Sequence, residues 1–169
     1  MPVQNLLNPS APVIAEFKGL RIAVGLNAVT GDEGSGKTRM LLELSELHAD
    51  AFWLDLKLPE CNLQTPLEVW AYWRNRCPQW HEALCLDLCE ALDLRPHLDK
   101  RLDMLSTGSR RKVALIALLA SGAKITCLDQ PFVALDQASI RVLCEFLNDM
   151  ADNTSRAWLI ADYEADARL

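Results

Sequence analysis

The stretch "GDEGSGKT", Gly31 to Thr38, constrains the fold of this chain more than any other. The apolar run "LNAVT" leads into it. "KTRMLLELSELHA" leads out, with apolar residues at Met40, Leu41, Leu44 and Leu47, a helical period. Gly31, Gly34 and Gly36 permit backbone angles and close approach that a Cβ would forbid. A strand, a glycine-rich turn, a helix and then a second apolar run, "AFWLDL", form the order of an α/β layer with a parallel sheet.

The same eight residues fit G-x-x-x-x-G-K-[ST] without a mismatch. Successive N–H groups of such a turn form a concave nest for phosphate oxygens at a helix N-terminus. Lys37 is the candidate to bridge β- and γ-phosphates, and the Thr38 hydroxyl the candidate Mg²⁺ ligand. The spacing therefore predicts an ATP·Mg²⁺ site over Gly31, Asp32, Glu33, Gly34, Ser35, Gly36, Lys37 and Thr38. Asp32 and Glu33 weaken phosphate affinity unless they point outward.

Two further stretches carry chemistry. In "LSTGSRRKVALIALLA", Leu105 to Ala120, Ser106 precedes a helix and Gly108 lets backbone approach closely. Arg110, Arg111 and Lys112 fill the first turn, where the helix dipole disfavours cations unless an anion is near. "KITCLDQP", Lys124 to Pro131, reads as a buried strand that delivers Asp129 to a sheet edge, with Gln130 next. Asp129 follows Gly108 by 21 residues, and "ALD", ending in Asp136, lies seven further on.

That order resembles the ATP-binding cassette (ABC) ATPases: phosphate loop, helical insertion, signature, Walker B strand, D-loop. "LDQPFVALD" is similar to the corresponding stretch of exporter-type cassettes, including those of cytochrome c maturation. The resemblance covers roughly residues 19–163. It implies a P-loop NTPase fold: a mainly parallel sheet flanked by helices, a small helical insertion and a reduced antiparallel subdomain. It also implies a head-to-tail pair of cassettes, homo- or heterodimeric, with ATP between one phosphate loop and the partner's Ser106 and Gly108. Asp129 then orients Mg²⁺, Asp136 crosses the dimer interface, and closure drives an integral-membrane partner.

The chain also departs from the family. Where the family places a glutamate that polarises the attacking water, this chain has Gln130. An amide holds a water but does not take its proton near neutral pH. The switch histidine is absent; Asp162 or Tyr163 falls in its place, and Tyr163 is the better stand-in as a hydrogen-bond donor. Thr107 and Ser109 stand at signature positions where Gly and Gln are commoner. Lys57 falls near the expected Q-loop glutamine, with Gln64 a late substitute, and Phe17 is the candidate to stack adenine.

The remaining features set bounds. At 169 residues, half of them hydrophobic, the chain suits one compact domain. Its pattern gives an irregular arm over 1–18 and a nucleotide-binding domain over 19–169. A helical insertion at about 59–104 carries Trp70, Tyr72, Trp73 and Trp80. Further elements are expected as strands in "LRIAV" and at 124–128 and 157–161, and helices at 107–121 and 137–151. A net charge of −6 argues against coating nucleic acid. The longest apolar run, Val113 to Ala123, is too short to cross a bilayer. Six cysteines without paired C-x-x-C sets read as reduced thiols in a cytoplasmic protein, reaching the inner face of a membrane through a partner. The expectation is an ABC-type ATP-binding transporter subunit with slow hydrolysis. Its alternative is a regulatory module that uses ATP to dimerise without turnover.

Overall fold

The computed structural model describes residues 3–5, 10–152, 155–165 and 167–169. In chain order its main elements are β1 (Val3–Asn5), β2 (Val13–Phe17), β3 (Leu20–Ala23), β4 (Gly25–Thr30), α1 (Lys37–Leu47), β5 (Ala51–Trp53), α2 (Pro66–Arg74), α3 (Glu82–Ala91), α4 (Thr107–Ala120), β6 (Ile125–Asp129), α5 (Gln137–Asp149) and β7 (Ala157–Asp162). The chain divides into two compact units. One comprises residues 1–53, 123–130 and 143–169, the other 54–122 and 131–142.

The first unit holds a five-stranded sheet of order β1-β4-β7-β6-β5. The pairs β4–β7, β7–β6 and β6–β5 are all parallel, and β1 closes one edge antiparallel to β4. Central strands β4, β6 and β7 are buried along nearly their whole length. Near-continuous apolar runs are what a parallel sheet covered on its faces requires. Met40, Leu41 and Leu44, three of the four residues of the helical stripe read from the sequence, pack with Val29, Ile125, Cys127, Leu159 and Ala161 into one core, whereas the fourth, Leu47, is exposed at the end of α1. A separate two-stranded sheet, β2–β3, turns at Lys18–Gly19. It is tied to β4 by the buried Asn27 side chain, whose Nδ2 donates to Ala23 O at 2.7 Å while its Oδ1 accepts from Ala23 N at 3.2 Å.

The second unit is helical. α4 is buried from Arg111 to Ala120 and packs against α2 and α3. The Trp70 indole of α2 donates to Val113 O at 3.0 Å, so its polar edge is satisfied inside the core. α2 opens with a reciprocal capping box between Thr65 and Glu68 and has Pro66 in its first turn.

The α/β class, the parallel sheet, the helical unit and the small antiparallel sheet agree with the sequence reading. Three boundaries are corrected. The segment 1–18 is not an irregular arm throughout, because Val3–Asn5 and Val13–Phe17 are strands. β5 stops at Trp53 rather than Leu56, because residues 54–58 leave the sheet in a turn, with Leu58 N on Asp55 O and Leu58 at φ 46°. The helical unit runs well beyond 59–104, because α4 buries its apolar face against α2 and α3.

All six cysteines are free thiols. Burial pushes Cys85 and Cys127 up to about 12, so both stay protonated at neutral pH, and a buried thiol is inert. A thiol reagent on native protein at neutral pH is expected to modify the half-buried Cys61 and Cys77 first. Cys85 and Cys127 should react only after denaturant is added, as counted by mass spectrometry.

Candidate functional site

The phosphate loop leaves the carboxyl end of β4 and enters α1. Gly34 and Gly36 have φ of 74° and 89°, a left-handed conformation that L side chains rarely adopt. A Cβ built on either would meet nothing within 4 Å, so both face open space. α1 has Gly36 as its N-cap, no side-chain cap and no acidic residue in its first turn. Its leading N–H groups thus provide the partial positive charge that suits an anion.

Lys37 is 7% exposed, and its ammonium donates to Gly31 O at 2.5 Å, Asp32 O at 2.9 Å and Ser35 Oγ at 3.4 Å. It also lies 5.1 Å from the centre of the Tyr163 ring. Asp32 and Glu33 are both exposed; Asp32 is not among the residues that wall the cavity beside the loop, whereas Glu33 is, so only Asp32 meets the expectation that these acids point outward. The Thr38 hydroxyl donates to Asp129 Oδ2 at 2.5 Å across 91 residues of sequence. A hydroxyl beside a carboxylate is a hard-oxygen donor pair of the kind Mg²⁺ accepts.

Gln130 and Tyr163 complete the group. Gln130 turns away from β6 with φ 46°, its N–H on Ala161 O at 2.8 Å. Tyr163 follows β7, and its carbonyl accepts from Gly31 N at 3.4 Å. A cavity of about 370 Å³ is walled by residues 33–39, Asp129, Gln130 and Tyr163. Asp162 does not face it; its carboxylate accepts from Tyr163 N at 2.8 Å instead. The structure thus brings the phosphate loop, Asp129, Gln130 and Tyr163 together within the first unit, in a cavity whose glycine nest and oxygen pair fit a nucleoside triphosphate with Mg²⁺.

The other candidates form a second group, inside the second unit. Ser106 caps α4, its Oγ accepting from Ser109 N at 3.1 Å. Gly108 allows a close approach, but to the chain itself: a Cβ there would lie 2.6 Å from Ala134 O. Two of the first-turn cations also have partners within the unit. Arg110 donates to Leu58 O at 2.6 Å and Asn62 Oδ1 at 2.5 Å, and Lys112 to Leu92 O at 3.1 Å and Asp136 Oδ2 at 2.8 Å. Asp136 caps α5 by accepting from Ser139 N and Oγ. The Lys112 ammonium, then Ser139, hold its carboxyl well below the usual range.

Some expectations shift. Phe17 is 6% exposed and meets His48 edge-on at 5.8 Å, so its ring belongs to the core and offers no face for stacking. Lys57 is exposed beside Asp55, and Gln64 lies in the helical unit, where its carbonyl accepts from Leu102 N. Sequence reading missed the cluster of Lys18, Arg39 and Glu43 beside the loop. The only sequence trace of it is the Lys18–Gly19 hairpin turn between "VIAEF" and "LRIAV".

The fold is the one that solved ABC-type ATP-binding proteins share. A Pyrococcus furiosus protein described as an ABC transporter ATP-binding protein superposes with a TM-score of 0.67 at 19% identity, over 98% of this chain and 92% of its own. An archaeal ribosome recycling factor, aABCE1, has a TM-score of 0.65 at 18% identity, over 85% of this chain and 30% of its own. In sequence the chain is similar to the cytochrome c biogenesis ATP-binding export protein CcmA of Aliivibrio fischeri, with 29% identity over 78% of this chain and 65% of the relative. The molybdenum import ATP-binding protein ModC of Hahella chejuensis is 29% identical over 75% of this chain and 42% of its own length. The chain thus spans under two thirds of either relative. No family model matches it.

Two outcomes test the second group. Gly108→Ala should lower stability by about 1–3 kcal/mol through overlap with Ala134 O, read as a lower midpoint in urea. Asp136→Asn should lower the melting temperature at neutral pH. Because the folded pKa is depressed, this stabilisation is full above the ordinary aspartate range and shrinks as pH falls below it. Melting curves of parent and variant should therefore converge toward strongly acidic pH.

Proposed function

We propose that this chain is an ABC-type ATP-binding subunit that binds ATP·Mg²⁺, pairs head to tail with a second cassette and hydrolyses ATP slowly. The carrying observation is the single cavity that unites the phosphate loop, the Thr38–Asp129 pair and Gln130. On this reading the Lys37 ammonium exchanges its loop carbonyls for phosphate oxygens, and the nest of N–H groups at α1 receives the remaining charge. Thr38 and Asp129 would hold Mg²⁺, which supplies Lewis-acid neutralisation of phosphate charge when bound.

Gln130 decides the rate. Its amide can hold and orient a water, but does not accept a proton near neutral pH. Loss of general-base assistance costs about 10²–10⁴-fold in rate. Tyr163, against Lys37, stands in for a hydrogen-bonding group at the γ-phosphate side. Ser106 and Gly108 would face the nucleotide of the partner cassette. Asp136 would reach the interface while keeping its Lys112 and Ser139 contacts.

The relatives CcmA and ModC carry names for export and import, which supports an integral-membrane partner for this chain too. None of the helices among the described residues is long and apolar enough to cross a membrane. Gln130 also supports a second reading, in which ATP-driven pairing assembles or signals without turnover.

Lys37→Ala is expected to weaken ATP binding about 10- to 150-fold, the loss of charge-assisted hydrogen bonds to phosphate, by titration calorimetry. Unchanged affinity contradicts a nucleotide site at this loop. In sedimentation, ATP·Mg²⁺ should convert wild-type protein, alone or with its partner cassette, to a pair, and ADP should not.

A further inference from the structure

The phosphate cavity contains an acid to which the ATP-site reading gives no task. Among its walls, residues 33–39, Asp129, Gln130 and Tyr163, only Glu33 and Asp129 carry a carboxylate. Asp129 is engaged by the Thr38 hydroxyl and, on that reading, by Mg²⁺. Glu33 is exposed and makes no hydrogen bond or ion pair among the described residues. The remaining acids of the loop and its surroundings do not wall the cavity. Asp32 is exposed outside it, Asp162 accepts from Tyr163 N, and Glu43 holds Lys18 and Arg39.

The loop fixes where this carboxylate starts. The Lys37 ammonium sits on the carbonyls of Gly31 and Asp32, at 2.5 and 2.9 Å, and the next residue is Glu33. Neighbouring Cα atoms are about 3.8 Å apart, so the Glu33 side chain leaves the backbone beside the ammonium that would meet the terminal phosphate. Gln130 and Tyr163 stand in the wall of the same cavity. A water takes about 30 Å³ of liquid volume, so a cavity of about 370 Å³ has room for a terminal phosphate with a water against it.

We propose that Glu33 is a proton acceptor for the water that attacks the terminal phosphate, supplying in part what the Gln130 amide cannot. The proposal rests on the ATP-site reading above and names the residue through which its slow hydrolysis runs. Gln130 orients the water through its amide oxygen. The water gives one proton to the Glu33 carboxylate as its oxygen lone pair bonds to the γ-phosphorus. The bond from that phosphorus to the bridging oxygen breaks, and ADP leaves with the electron pair. Inorganic phosphate is the other product, and Glu33 returns its proton to solvent. Turnover stays slow because an exposed, untethered side chain is seldom within hydrogen-bond reach of the water, which proton transfer requires. The same carboxylate repels the phosphate charge it faces, so Glu33 also lowers ATP affinity. Lys37 and Arg39 are the cations in the same wall that offset this repulsion.

These two effects have opposite signs in one substitution. With Mg²⁺ saturating, Glu33→Gln is expected to tighten ATP binding about two- to fivefold and to lower kcat about tenfold or more. In Glu33→Ala, added formate should restore part of the lost turnover by bringing a free carboxylate to the same place. In the Gln130→Glu background the kcat cost of Glu33→Gln should shrink several-fold, because a fixed carboxylate then takes the proton. An unchanged or raised kcat in Glu33→Gln would overturn the proposal and leave the acid as a repulsive wall only. So would a loss that formate does not relieve, or one of equal size in both backgrounds. A loss that extra Mg²⁺ abolishes would place the carboxylate on the metal and overturn it too. Wild type that binds ATP but turns none over also contradicts it, while leaving the ATP site intact. If wild type binds no ATP, the phosphate-loop reading itself fails, and the proposal with it.

Discussion

The constraint on which the site depends is the parallel pairing of β7 between β4 and β6. Thr30 pairs with Asp162 and Asp129 with Ala161, so all three strands end at the same edge. The chain leaves that edge as Gly31, Gln130 and Tyr163, whose backbones are then cross-linked by Gly31 N on Tyr163 O and Gln130 N on Ala161 O. A slip of one residue in either ladder would turn alternate side chains to the opposite face and separate Asp129 from Thr38. Ligand sites at the carboxyl ends of parallel strands are a general consequence of this architecture.

The second unit is organised by a different interaction, the Lys112–Asp136 pair. Lys112 is nearly buried, with 11% of its side chain exposed, while Asp136 is 57% exposed. The pair satisfies an ammonium that would otherwise be costly to bury, and the same carboxylate caps α5. Arg110 extends this bonding to the loop at Leu58 and Asn62. Basic residues in the first turn of α4 thus have internal partners, which lowers their value as a sign of a bound anion. Ser106 is exposed and Gly108 half-buried, and on the proposed reading they face the partner cassette.

The sequence spoke most clearly where one local rule acted alone. The phosphate loop, α1, α4, α5 and the buried strands β6 and β7 each followed from a short period or a fixed spacing. Strands β1 and β2 were hidden because three to five residues carry too little period, and their partners are distant in the chain. Phe17 was misjudged because exposure is a tertiary property: its ring is taken into the core beside His48. The Lys18–Arg39–Glu43 cluster escaped because it joins a hairpin tip to a helix face. Tyr163 was preferred over Asp162 on charge, and only the geometry of β7 shows which of them lines the cavity.

On the proposed reading, the cavity at the phosphate loop joins a nucleotide site to an amide, Gln130, in the seat of a proton-accepting carboxylate. Steady-state ATP turnover of wild type beside Gln130→Glu, with Mg²⁺ saturating, tests it most directly. The glutamate variant is expected to bind ATP like the parent and to turn it over about 10²–10⁴-fold faster. Brisk wild-type turnover that the substitution does not improve would contradict it.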